Sequence, residues 1–137
     1  MLRLQVTSNE YYDRSFISWL INEIRNEILL SLDIKKVSAW TTMMNTLQGN
    51  NVFTVKDVLF VIRRYTRQLY AIRLKDGWQI IFEPRGMIEN IDMSARQFFM
   101  LLENGTLEIP GLHIISNTFS RIKKDIPVYF DRYLEEG

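Results

Sequence analysis

The sequence predicts an α+β fold in a single domain covering residues 1–137, with three N-terminal helices followed by a β-hairpin, then a helix, short strands and a C-terminal helix. Three observations carry this. At 137 residues the chain is long enough for one hydrophobic core and too short for two ordinary domains. Apolar residues recur at helical spacing in three stretches before residue 66. Between Leu69 and Phe82, LYAIRLKDGWQIIF sets two strand-like runs on either side of an Asp76-Gly77 turn signal.

Each element has its own signature. Leu2, Leu4 and Val6 alternate, which predicts a short strand that must pair elsewhere. Ser8 or Asn9 then caps a helix over about 10–32, with Glu10 and Asp13 near its positive end. Its stripe is Ile17, Leu20, Ile21, Ile24, Ile28 and Leu32, widened by Phe16 and Trp19. A second helix spans about 38–48, capped by Ser38 and ended by Gly49, with Asn50-Asn51 continuing the turn; Trp40, Met43, Met44 and Leu47 form its apolar face. The third helix has Thr54 as N-cap, Asp57 three residues on, and Phe53 and Val58 as a hydrophobic staple.

Register selects the hairpin loop. A two-residue Asp76-Gly77 loop sets Trp78, Ile80 and Phe82 opposite Lys75, Arg73 and Ala71, with two mixed faces. A three-residue loop, Lys75-Asp76-Gly77 with a left-handed Gly77, pairs Leu74 with Trp78, Ile72 with Ile80 and Tyr70 with Phe82. One face is then wholly apolar, so the three-residue loop is expected. Beyond Pro84-Arg85-Gly86, Ser94 and Gln97 make a capping box for a fourth helix over about 95–104, stopped by Asn104-Gly105. Leu107 and Ile109, then 112–115 after a Pro110-Gly111 turn, read as short strands. Phe119, Ile122, Ile126, Tyr129 and Tyr133 keep helical period, and Pro127 makes this one kinked helix or two short ones. Glu135-Glu136-Gly137 reads as a frayed tail.

Composition narrows the chemistry. With no cysteine, thiolate nucleophiles, disulfides and Cys-based metal sites are excluded, and a reducing cytoplasm is the expected compartment. No apolar run approaches the ~20 residues of a membrane span, and the first residues lack the apolar core of a secretory signal. His113 is the single histidine, in an apolar run with no acidic neighbour, so triad chemistry is not expected. Glu83, Glu89 and Asp92 lack the spacing of a calcium loop. Asp76 followed by Glu83-Pro84-Arg85 has the outline of a metal-dependent nuclease motif, but with Arg where Lys would be needed to exchange a proton. No glycine-rich phosphate loop occurs. The expectation is a non-enzymatic protein with no cofactor and no metal.

Two binding roles remain. The formal charge of +1 conceals a surplus of +4 over residues 54–86 and a deficit of −3 over 87–137, while 1–53 balance. Lys56, Arg63, Arg64, Arg67, Arg73 and Lys75 make the surplus a candidate polyanion face, although cations at the end of a helix also suit its dipole. Three helices and a hairpin follow the element order of a winged-helix domain, which resembles this chain in order alone and would send the third helix and hairpin tip to DNA or RNA. Against this, three Trp, eight Phe and six Tyr are many for one core of this size. If Tyr11, Tyr12, Trp19 and Phe60 stay outside it, they form a contact patch. The first expectation is therefore a protein–protein interaction module: a small inhibitor, adaptor or assembly protein of the kind viruses and mobile elements encode, acting on a partner protein or by self-association.

Overall fold

The computed structural model describes residues 2–7, 11–49, 53–89 and 91–136. Its elements run β1 (Leu2–Thr7), α1 (Arg14–Leu30), α2 (Ile34–Gln48), α3 (Val55–Tyr65), β2 (Leu69–Leu74), β3 (Gly77–Phe82), β4 (Met87–Ile88), β5 (Met93–Ser94), α4 (Ala95–Asn104), α5 (Ile114–Lys124) and α6 (Ile126–Glu136). The class is α+β, and the chain opens on a strand before its three helices.

That strand determines the sheet. β1 and β2 both pair antiparallel with β3, giving the order β1-β3-β2. The hairpin register differs from both sequence alternatives: Leu74 pairs with Gly77, Arg73 with Trp78, Ala71 with Ile80 and Leu69 with Phe82. The loop is thus the two residues Lys75-Asp76, and Gly77 opens β3 at φ 147°, a conformation suited to glycine. Expecting an apolar face from the hairpin alone was the error. Leu2, Leu4 and Val6 stand beside Phe82, Ile80 and Trp78 and complete the inner face, so β2 need not supply it. Tyr70 and Ile72 consequently fall on the outer face and are exposed.

The N-caps of α1 to α4 follow one rule, with two shifts. Thr54 and Ser94 cap α3 and α4 by accepting from the backbone N–H three residues on, as expected. Asp13 caps α1 by accepting from Phe16 N at 2.9 Å; Ser8, Asn9 and Glu10 lie outside the described residues, as do Asn50 and Asn51. Asp33 caps α2, accepting from Lys35 N and Lys36 N, so Ser38 lies a turn inside the helix. Gly49 ends α2 in the left-handed region at φ 74°.

The expected strands after α4 are absent among the described residues. Only a single bridge links Gly105 and Pro110, and Ile114–Lys124 is helical. The short strands lie before α4 instead, as the β4–β5 pair. The loop after α4 turns back so tightly that a Cβ on Gly105 would sit 2.0 Å from Ile109 O, and one on Gly111 2.1 Å from Glu103 O. Pro127 falls in the first turn of α6, where it needs no partner for its nitrogen, and Asp125 separates α5 from α6. Glu136 is still helical and accepts from Trp19 Nε1 at 2.9 Å, so the tail is anchored up to that residue.

α1 and α5 pack on the inner face of the sheet and α6 packs on α1. The hairpin is therefore part of a covered layer rather than a projecting wing. One apolar cluster joins these elements, with Phe16, Leu20, Ile24, Trp40, Phe53, Ile80 and Phe98 at its centre.

Candidate nucleic-acid interface

All six cations of the sequence-derived cluster are exposed, and among the described residues none of them forms an ion pair. They do not share one face. Arg64 lies over the Tyr65 ring at 5.9 Å, in a shallow groove with Asp57, Phe60 and Glu89. Lys56 and Arg63 stand in the first and last turns of α3, and Lys75 at the hairpin tip. Arg73 turns to the inner face of the sheet, its Cζ 4.9 Å from the centroid of the Trp78 ring.

Two further arginines complete the geometry, both from α1. Arg14 Cζ lies 6.0 Å from the same Trp78 ring, whose Nε1 donates to Tyr12 O at 2.9 Å. Arg14 and Arg73 thus flank one indole at the start of α1 and the end of β2. Arg25 donates through Nε to Thr66 O (3.3 Å) and through Nη2 to Arg67 O (3.0 Å), covering the carbonyls of the two residues that follow α3. Burial lowers the Arg25 pKa, and the neighbouring charge of Arg67 lowers it further. Arg25 thus holds the Arg67 backbone just before β2 begins, and the two residues carry like charges. α1 runs opposite to β2, and the two pairs sit at the two ends of the seam, eleven helical residues or about 16 Å apart.

The seam carries no acidic side chain from α1. Arg14, Ser18, Ile21 and Arg25 follow spacings of four, three and four and share one stripe. Glu23 and Glu27 project from the far flank, where Glu23 accepts from Arg132 of α6 at 3.0 Å and Glu27 helps to raise the Tyr129 pKa behind the larger effect of burial. Sequence reading passed over Arg14 and Arg25 because the first 53 residues balance in charge; the helical spacing that segregates Arg from Glu was the available signal.

The four candidate interaction aromatics separate into two kinds. Tyr12 and Trp19 are half-buried in a ring cluster between α1 and α6: Tyr12 lies 5.0 Å from Phe16 and 5.1 Å from Phe130, and Trp19 5.6 Å from Tyr133. Tyr11 and Phe60 are 65% and 60% exposed.

The remaining candidates also find places. Asp76 and Glu83 occupy opposite ends of β3, about 23 Å apart along an extended strand, so they share no site. His113 is exposed and left-handed at φ 52°, at the N-cap of α5. Glu83 accepts from Tyr70 Oη at 2.7 Å and from Arg85 Nη2 at 2.9 Å on the outer sheet face. The Tyr70 hydrogen bond, then Arg85, hold the Glu83 carboxyl below its usual range, and the same bond to Glu83 raises the Tyr70 phenol. Stability linked to Glu83 is present above the unfolded carboxylate pKa and is lost as pH falls through the lower folded value; that linked to Tyr70 is present below the unfolded phenol pKa and is lost as pH rises through the higher folded value. Tyr70→Phe is expected to move the Glu83 titration upward, read by carboxyl carbon NMR; an unmoved titration would show that this hydrogen bond is not formed in solution.

Compared with protein-family models, with curated proteins and with solved structures, the chain matches none. Among the described residues no helix is long and apolar enough to cross a membrane.

Proposed function

We propose that this protein is a non-catalytic binding module that holds a nucleic-acid backbone along the α1/β2 seam. The observation that carries the reading is that Arg14 and Arg73 lie on one indole at one end of the seam while the Arg25 guanidinium holds the Arg67 backbone at the other, with the α1 carboxylates turned away toward α6. Guanidinium groups present paired donors that match phosphate oxygens, and a bound anion offsets the like charge of neighbouring arginines. Trp78 is 7% exposed beneath its arginines, so the seam offers no free ring for base stacking. The expected mode is therefore contact with the phosphate backbone, independent of sequence.

A salt titration of binding to random-sequence DNA, followed by fluorescence anisotropy, tests this. Four phosphate contacts predict a log–log slope of about −3.6 on duplex and about −2.8 on single strands. Absence of binding at 50 mM salt would remove the reading.

A protein partner is the second reading, favoured by the corner between α1 and α2, where Leu30 is 81% and Ile34 63% exposed. Self-association through this corner predicts a mass by light scattering that rises with concentration and returns to the monomer value in Ile34→Glu. A constant monomer mass would exclude self-association and leave only a different partner.

A further inference from the structure

A cleft of about 430 Å³ opens where the end of the sheet meets α4, away from the residues of the α1/β2 seam. We infer that it binds a small amphiphilic carboxylate, the apolar body lying on Leu2, Phe82, Phe99 and Met100 and the head group meeting Arg96. The volume falls within the range of small-molecule sites, and an apolar lining with few polar groups is their usual character.

Charge selects the head group. The two carboxylates in the lining are already engaged: Glu83 by Tyr70 and Arg85, and Glu103 by the backbone of Ile115 and Ser116. Arg85 is neutralised by Glu83 at 2.9 Å. Arg96 is exposed and, among the described residues, has no hydrogen-bond or ion-pair partner, so the uncommitted charge facing the cleft is positive. It stands in the first turn of α4, at the positive end of that helix. Arg96 and Met100 are one turn apart on the same helix face, placing a cation directly above an adaptable thioether.

The test is a titration with octanoate, followed by the methyl signal of Met100 in methyl-labelled protein, with octanamide as the neutral analogue. The expected result is a saturable shift of that signal, with octanamide and the Arg96→Met variant each weakening binding at least about tenfold and Arg96→Lys retaining it. Both positions are exposed, Met100 at 52%, so the variants are expected to fold, which the remaining amide spectrum verifies. Three outcomes overturn the inference: no saturable shift, equal affinity for octanoate and octanamide, or octanoate binding unchanged in Arg96→Met. None of them bears on DNA binding at the seam.

Discussion

Replacing Glu103 by alanine is expected to lower the unfolding free energy by about 3 kcal/mol, measured by urea denaturation at neutral pH. Glu103 is 4% exposed in the last turn of α4, yet its carboxylate serves a different helix. Oε1 accepts from Ile115 N at 2.7 Å, while Oε2 accepts from Ser116 N and Ser116 Oγ, each at 3.3 Å. The first N–H groups of a helix need acceptors, and the N-cap residue of α5, His113, supplies none from its side chain. Glu103 takes that role from across the loop and sets a negative charge against the positive end of α5. Alanine would leave a buried donor unsatisfied and a void behind it. Because α5 packs on β1 and α1, the loss reaches the main core rather than a local loop. Glu103→Gln retains shape and one acceptor, so it is expected to cost about half as much. A loss under about 1 kcal/mol for the alanine variant would show that α5 does not depend on this contact.

The largest functional effect is expected from Arg67→Glu combined with Arg73→Glu, one change at each end of the seam. Binding to random duplex DNA at low salt should fall by about a hundredfold, and the salt slope should flatten by roughly two contacts, near 1.8 units. Both side chains are exposed and lack ion-pair partners among the described residues, so stability is expected to change by less than about 1 kcal/mol. Arg64→Glu is the control. Arg64 lies in the groove with Asp57 and Glu89, and its reversal should alter affinity by no more than about threefold. Equal losses from Arg64 and from the seam arginines would mean that diffuse charge, rather than this geometry, holds the polyanion. Arg25 is left intact in these variants because it also covers the carbonyls of Thr66 and Arg67 in the turn after α3.

The sequence was most legible where a few neighbouring residues decide the outcome. Thr54 and Ser94 start their helices, and Gly49 stops α2, through contacts within one turn. The shifted caps, Asp13 and Asp33, obey the same chemistry; several capping side chains stood near each helix start, and local pattern did not rank them. The 107–115 segment misled for the opposite reason. Its alternating apolar residues resemble strands, yet the close turn through Gly105 and Gly111 and the carboxylate of Glu103 make residues 114 onward a helix.

On its own, then, the sequence determined the α+β class, the approximate places of the first four helices and the hairpin, and the surplus of cations near it. Tertiary structure decided the hairpin register, because the missing part of the inner face comes from β1, more than sixty residues away. It also decided which cations meet: Arg64 was drawn off along α3, while Arg67 and Arg73 joined Arg25 and Arg14 from a helix whose charge balances overall. Local hydrogen bonds and periodicity act over a turn or two, whereas a strand's neighbour and a guanidinium's companion depend on how distant segments share one core.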